Sequence, residues 1–163
     1  RLSATWGTRA WRFRPTEVIL TDGATEALSA AFMAMLNPGD EVIIPTPAFG
    51  LYENIVVANH AKAVFLDTEP AQFQIDEGAL RACVTPATKA IVICTPNNPT
   101  GCILNAASLD AVARVAEQAG IYVSATTYIT AWSTWTATSD LLSATRSCAS
   151  RRSLSRASPS PGP

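Results

Sequence analysis

Patterns typical of metal sites and membrane spans are missing from this sequence. It has one histidine, His60, and its four cysteines form no Cys-x-x-Cys pair, so we expect no structural zinc site. No apolar run approaches the roughly 20 residues that a membrane-spanning helix needs. This cysteine usage fits a reducing cytoplasm, where we expect the protein to reside. The cysteines are Cys83, Cys94, Cys102 and Cys148.

A starting methionine and an apolar leader are missing as well. Residues 1–6 are Arg-Leu-Ser-Ala-Thr-Trp. A secretory signal peptide would need an apolar stretch that this segment does not have. We therefore expect no signal peptide, and we expect the sequence to begin inside a longer reading frame.

A charge excess of either sign is also missing. The 163 residues carry a net charge of −1 and are 48% hydrophobic, which is enough for one domain with a core of its own. This balance indicates neither nucleic acid nor an anionic membrane as a partner.

The average composition hides a change along the chain. Residues 1–123 carry 8 basic and 12 acidic residues, whereas residues 124–163 carry 4 Arg, 1 Asp, no Lys and 17 Ser or Thr.

Predicted strands and helices alternate along the chain. Apolar, β-branched segments predict strands, and apolar residues at helical spacing predict the helices between them. A weaker N-terminal piece, residues 1–15, is expected to contain a partial helix that ends before Pro15. The fold class that follows is α/β, with three layers: a mostly parallel sheet and helices on both of its faces. The predicted strands are 17–21, 41–44, 62–66, 89–94 and one that begins at 121; the predicted helices are 25–36, 50–59, 76–83 and 108–119.

A rigid polar loop follows the predicted strand 89–94. Its sequence is Thr95-Pro96-Asn97-Asn98-Pro99-Thr100-Gly101. The two prolines fix φ, remove two backbone donors and disfavour helix in the residues before them. Ligands of open α/β sheets bind at the carboxyl ends of strands, which makes this loop a candidate binding site. An ordinary turn is the alternative.

Two further loops follow predicted strands at the same edge. In the first, Gly23 allows a tight turn, and the backbone N–H groups of Ala24 and Thr25 at the helix start suit a phosphate group. Turns from strand through glycine to helix are common without any ligand, so that alternative stays open. In the second loop, residues 45–50, two prolines stiffen the chain around Phe49. This ring is either a core residue or a stacking platform for a flat ligand.

The three loops together resemble the large domain of class I/II aminotransferases, the fold-type-I enzymes that depend on pyridoxal 5′-phosphate (PLP). The resemblance covers about residues 14–124. Four motifs carry it: TDGATEAL at 21–28, LNPGDEV at 36–42, PTPAF at 45–49 and PNNPTG at 96–101. The resemblance implies that this part of the chain is a cofactor-binding domain.

The resemblance also implies a role for individual residues. The backbone amides of Ala24 and Thr25 would bind the PLP phosphate, and the ring of Phe49 would stack on the pyridine ring. Asn98 would donate a hydrogen bond to the 3′ oxygen of PLP. Tyr128 falls at the family's tyrosine position, which also contacts this oxygen.

After Val123 the resemblance fails at two positions that matter for the reaction. Where the family has Ser-Asp-Glu-x-Tyr, this chain has Ser-Ala-Thr-Thr-Tyr, so Ala125 stands where the Asp would pair with the pyridinium nitrogen. No lysine follows Lys89, so the lysine that attaches PLP, expected some tens of residues later, is absent. We therefore expect no catalytic residue in this chain and no covalent attachment of PLP at the usual position.

A frame change in the gene would explain both the lost residues and the break in composition. With suitable codons for residues 125–135, a reading that starts at the third base gives Asp-Asp-Val-Tyr-His-Gly-Leu-Val-Tyr-Met, which resembles the family's continuation. In the same frame, suitable codons for residues 152–156 give Phe-Ser-Lys-Pro, similar to the lysine motif. We then expect three parts: an N-terminal remnant at 1–15, a partial PLP-binding large domain at 16–124, and a disordered tail at 125–163. A basic, phosphorylatable interaction segment is the alternative for the tail.

Three functions remain open. The first is an aminotransferase, which moves an amino group between an amino acid and a 2-oxo acid; we expect this chain to be a truncated and inactive form. The second is a PLP-dependent C–S lyase, which shares the same large-domain motifs. The third is a non-catalytic remnant that binds PLP weakly. Family members are usually homodimers, and we expect this chain to assemble poorly because apolar surface is left exposed.

Overall fold

A four-stranded parallel sheet forms the centre of the structure. The computed structural model describes residues 3–6, 9–12 and 18–126, with side chains from residue 18 onward. The sheet has the strand order β4-β3-β5-β6, and all of its pairings are parallel. The strands are β3 (Glu41–Thr46), β4 (Lys62–Asp67), β5 (Thr88–Cys94) and β6 (Tyr122–Thr126); β1 (Ser3–Trp6) and β2 (Arg9–Arg12) form a separate antiparallel pair.

Four helices of the described residues pack beside the sheet; the first leads into β3, and the other three connect successive strands. They are α1 (Gly23–Met35), α2 (Leu51–Ala58), α3 (Glu77–Ala82) and α4 (Ala106–Ala119), with one 3-10 turn at Glu69–Ala71. The two helix starts at Asp76 and Asn105 are capped, because each side chain accepts a hydrogen bond from the amide three residues on, both at 2.8 Å. Gly120 ends α4 with a positive φ of 66°, as the sequence predicts.

Alternate residues of the central strands pack into two separate cores. Val42 and Ile44 of β3 pack with residues of α1 and α2, whereas Ile43 packs with residues of α3 and α4. Phe32 of α1 and Leu80 of α3 have no exposed surface. Because each face of the sheet has its own helix layer, the predicted three-layer α/β fold is confirmed.

Two expectations for the N-terminal part are wrong. Residues 18–21 form no strand, because no described strand lies beside them to complete a hydrogen-bonded ladder. Ile19 and Leu20 are therefore exposed, at 85% and 86%. The described part of residues 1–15 is the antiparallel pair β1 and β2 and not a partial helix, since its β-branched and aromatic residues favour strand.

The last strand continues slightly past the expected domain end. We predicted the large domain to end at 124, whereas β6 extends to Thr126. The first two residues of the predicted tail, Ala125 and Thr126, therefore belong to β6, whereas Tyr128 and the other residues of 127–163 lie outside the described residues. No helix among the described residues is long and apolar enough to cross a membrane.

Candidate functional site

The loop after β3 presents an aromatic ring to solvent. β3 ends at Thr46 and α2 begins at Leu51, so the proline-stiffened loop lies at the carboxyl edge of the sheet. The side chain of Phe49 is 42% exposed. Its ring contacts Tyr52 edge to face, with 6.4 Å between the centroids and 89° between the planes. Tyr52 itself is only 3% exposed and packs in the core, so it supports Phe49 from below.

The loop after β5 is held by hydrogen bonds from several directions. The amide of Asn97 donates to the carbonyl of Cys102, and Gly101 donates back to the carbonyl of Asn97, both at 2.8 Å. The buried hydroxyl of Thr95 accepts from the amide of Leu104 at 3.1 Å. Asn98, the predicted cofactor contact, is half-buried beside this closed turn.

The start of α1 has no side-chain cap. Asp22 stands at the N-cap position, but its side chain makes no capping hydrogen bond. Gly23 has a φ of 81°, which a glycine adopts at little cost. Ala24 and Thr25 are exposed at this helix start. Glu26 lies close by, where its carboxylate accepts a hydrogen bond from the backbone amide of Asp22.

The structure joins two of the predicted loops directly. The side-chain nitrogen of Asn97 donates to the carbonyl oxygen of Pro47 at 2.9 Å, across 50 residues of sequence. The end of α1 is followed closely by the amino end of β3. The start of α1 should therefore lie towards the opposite, carboxyl edge of the sheet, where the two loops are. Sequence reasoning singled out Asn98 and missed the contact of its neighbour Asn97, since no sequence pattern indicates which of two adjacent amides faces the other loop.

A pocket lies beneath the two joined loops. It is small, with a cavity volume of about 20 Å³. Pro47, Tyr52, Phe73 and Asn97 are among its lining residues, whereas Phe49 and Asn98 are not. Phe73 was missed by the sequence analysis; it follows Gln72, and both have a positive φ, at 61° and 55°. Two successive left-handed residues are unusual outside glycine and set the direction of this short segment.

Ala125 stands where the family resemblance would place an aspartate beside the pyridine nitrogen of PLP. Ala125 is exposed on β6 and pairs with Ile93 of β5 near the carboxyl edge of the sheet. An alanine side chain has no group that accepts or donates a hydrogen bond. Within residues 18–126, no cluster of His, Cys, Asp or Glu side chains has the arrangement of a metal site.

Comparison with known proteins gives a consistent family. The family model described as "Aminotransferase class I and II" matches residues 5–154, which extends past both ends of the motif resemblance. A relative from Mycobacterium tuberculosis, named "Probable N-succinyldiaminopimelate aminotransferase DapC", is 41% identical over 110 residues, covering 66% of this chain. The aspartate aminotransferase of Geobacillus stearothermophilus is 38% identical over 112 residues, covering 68% of this chain.

Solved structures agree with these relatives. Aspartate aminotransferase from Thermus thermophilus with maleate superposes with a TM-score of 0.60 at 37% identity, covering 62% of this chain and 27% of that one. N-succinyldiaminopimelate aminotransferase from Mycobacterium tuberculosis gives a TM-score of 0.60 at 39% identity, with 64% and 28% covered. The matched region spans about 28% of the length of the curated relatives.

Proposed function

Since this chain belongs to the aminotransferase class I and II family, whose model covers residues 5–154, we propose that residues 16–126 are the PLP-holding part of an aminotransferase. The intact enzyme would move an amino group between an amino acid and a 2-oxo acid. The names of the relatives favour this reaction over the C–S lyase alternative, because those described above are all called aminotransferases.

The observation that carries this proposal is the hydrogen bond between the loops after β3 and β5. It holds Phe49 and Asn98 on adjoining loops at one edge of the sheet. A flat, polar ligand requires this combination of an exposed ring and a nearby amide donor. At the start of α1, where the Asp22 side chain makes no capping hydrogen bond, the backbone amides of the first turn suit an anionic group.

These residues fit PLP in kind. The amides of Ala24 and Thr25 would hold its phosphate, Phe49 would stack on its ring, and Asn98 would donate to its 3′ oxygen. Tyr128, which lies outside the described residues, would be a second partner of that oxygen. When bound, PLP supplies an electron sink for the amino acid substrate. The chain's own residues bind and orient the cofactor through these contacts.

The residues that make the cofactor react are missing from the sequence as it stands. Ala125 offers no carboxylate to keep a proton on the pyridine nitrogen, and the only lysines are Lys62 and Lys89, neither in the expected motif. We propose that this 163-residue chain binds PLP weakly and does not transaminate. A frame change of one or two bases at about residue 125 would account for both losses. Sequencing the gene tests this hypothesis. If neither shifted reading frame contains an Asp-x-x-Tyr motif and a lysine motif, the hypothesis is wrong.

Assembly and location follow from the same proposal. The intact family member would pair as a homodimer, whereas this chain would assemble poorly, because Ile19 and Leu20 expose apolar surface. A reducing cytoplasm is the proposed location, and Cys83, Cys94 and Cys102 are free thiols, consistent with it.

Binding is tested with pyridoxine 5′-phosphate, which keeps the ring, the 3′ oxygen and the phosphate but has no aldehyde to react with lysine. Equilibrium dialysis should show saturable binding of one molecule per chain, and unphosphorylated pyridoxine should bind at least tenfold more weakly, about the contribution of charge-assisted bonds to a phosphate. Equal binding of both compounds would argue against the phosphate site at α1.

The absence of catalysis needs a separate experiment. The chain is incubated with PLP, reduced with borohydride and digested, and the modified lysine is located by mass spectrometry. We expect no stoichiometric adduct at a single lysine. A single-site adduct at either Lys62 or Lys89, together with measurable amino transfer from an amino acid, would overturn the inactive assignment.

A further inference from the structure

The side chain of Asn97 bridges the two loops that carry Phe49 and Asn98. Its amide nitrogen has two hydrogens, and both have an acceptor: the carbonyl oxygen of Pro47 at 2.9 Å and the hydroxyl of Thr100 at 3.0 Å. One acceptor belongs to the neighbouring loop and the other to its own loop. The residue therefore uses the full donor capacity of a primary amide.

The backbone of Asn97 is itself fixed. Its N–H donates to the carbonyl of Cys102 and its carbonyl accepts from Gly101, both at 2.8 Å. The proline on the other side of Asn98, Pro99, restricts the backbone of Asn98 further. Because both flanks are held, movement of the Asn97 side chain is coupled to the position of the adjacent Asn98.

The other end of the bridge lies two residues before Phe49. Pro47 has no N–H, so its carbonyl is the only backbone group through which it can bond. Beyond it, the loop turns into α2, where the amide of Tyr52 donates to the carbonyl of Phe49 at 3.2 Å. The Asn97 contact therefore joins this loop to the loop after β5.

We propose that Asn97 is a positioning residue that sets the separation between the Phe49 ring and the Asn98 amide. The inference rests on the proposed function for what these two groups hold, namely one flat pyridine ring and its 3′ oxygen. Asn97 acts on the ligand through Asn98 and Phe49 and does not need to touch it.

The two donated hydrogen bonds of Asn97 can be removed with little change in side-chain shape. Aspartate has nearly the same shape, but its oxygens have no hydrogen for either acceptor, and a carboxylate would lie against the carbonyl oxygen of Pro47. Asn97→Asp is therefore the sharpest variant, because it removes the donors without removing volume. Asn105→Asp is the matched control: it adds the same charge, and its side chain is an acceptor for the Ser108 amide in the native protein.

The first experiment measures hydrogen exchange in the chain without ligand. Asn97→Asp should speed exchange of the amides in residues 48–54 by about fivefold, the usual effect of one lost hydrogen bond. Thr100→Val keeps the bond to Pro47 and should leave this segment within twofold of the wild type. Unchanged exchange at 48–54 in Asn97→Asp would overturn the inference.

If the Asn97→Asp variant does not fold, the contact between Asn97 and the neighbouring loop can still be tested in the wild-type chain. Nuclear Overhauser effects between the Asn97 side-chain amide and the backbone amide of Ala48 are expected in the wild-type chain, because Ala48 follows the acceptor directly. Their absence would overturn the contact itself.

The second experiment measures the dissociation constant of pyridoxine 5′-phosphate. Asn97→Asp should raise it about fivefold, and Asn105→Asp should change it less than twofold. An unchanged constant in Asn97→Asp would overturn the positioning role. If the wild type does not bind the ligand at all, the proposed function fails, and hydrogen exchange alone then decides whether Asn97 couples the loops.

Discussion

Glu41 and Lys62 form an ion pair at the amino ends of two neighbouring strands, with 3.1 Å between Lys62 Nζ and Glu41 Oε1. The other carboxylate oxygen of Glu41 accepts a hydrogen bond from Thr85 Oγ1 at 2.6 Å, shortly before β5 begins. The Thr85 hydrogen bond and then the Lys62 contact lower the pKa of Glu41 below its usual value of 4.5. This group therefore ties β3, β4 and β5 together at the edge opposite the candidate site.

Removing the Glu41 charge should weaken the fold and change its response to acid. With a folded pKa below the unfolded one, the carboxylate stabilises the fold above the unfolded pKa, and this stabilisation is lost as the pH falls through the folded pKa. Glu41→Gln should cost about 1 kcal/mol near neutral pH. Between about pH 6 and pH 3, the unfolding free energy of the variant should fall less than that of the wild type. Urea unfolding at a series of pH values measures both.

The control for this experiment is Glu53→Gln, which removes the same charge from an exposed position on α2. Near neutral pH it should change the unfolding free energy by less than about 0.5 kcal/mol, as for other exposed sites. Equal loss of stability with acid in Glu41→Gln and the wild type would contradict the proposed role of the Thr85 and Lys62 contacts.

Gln74 holds the segment after β4 against the start of α4. Its side-chain oxygen accepts from the amide of Asn105 at 2.9 Å and from the hydroxyl of Ser108 at 3.0 Å, and its nitrogen donates to the carbonyl of Ile103 at 3.2 Å. Gln74→Ala should destabilise the chain by about 1–3 kcal/mol, because several partners lose a bond together. Thermal and urea unfolding measure the change.

Gln72→Ala is the matched control for Gln74→Ala. Gln72 is exposed, lies two residues earlier and has a positive φ of 55°. Because glutamine and alanine both have a Cβ atom, the substitution should not change the backbone strain at this position. Its effect should stay within about 0.5 kcal/mol, as for other exposed sites. If the two variants are equally stable, the hydrogen bonds of Gln74 contribute nothing net.

Glu26 places a negative charge at the start of α1, where the proposed phosphate would bind. Its carboxylate accepts from the amide of Asp22. Glu26→Gln should tighten binding of pyridoxine 5′-phosphate about threefold, because a like charge is removed from the anion site. The control is Glu117→Gln, which removes the same charge near the C-terminal end of α4. It should leave the binding of pyridoxine 5′-phosphate unchanged. Weaker binding in Glu26→Gln than in the wild type would contradict a phosphate at this helix start.

The alternation of strands and helices could be predicted from the sequence because local patterns determine it. Apolar runs such as 90–94 are buried on both faces of the sheet, and capping residues such as Asp76 act within one turn of helix. The predicted strand at 17–21 failed for the opposite reason. Its apolar residues favour strand, but a strand also requires a neighbour, and none of the described strands supplies one.

The candidate site was predictable only in part for the same reason. The sequence predicts Phe49 and Asn98 as candidates because proline-rich loops after strands are visible in it. The bridge from Asn97 to Pro47 and the contacts of Gln74 connect residues about 30 to 50 positions apart, so neither follows from a local pattern. Two adjacent asparagines are equivalent in sequence, and only the packing of the two loops distinguishes them.

Phe49 and Asn98, on two separate loops, are proposed to hold one pyridine ring. Isothermal titration calorimetry with pyridoxine 5′-phosphate tests it most directly, on the wild type, Phe49→Ala and Asn98→Ala. The controls are Phe65→Ala, which removes another half-exposed ring from β4, and Asn54→Ala on α2. We predict that each site variant raises the dissociation constant about fivefold while both controls stay within twofold of the wild type. Dissociation constants for Phe49→Ala and Asn98→Ala that match the wild type would contradict the account.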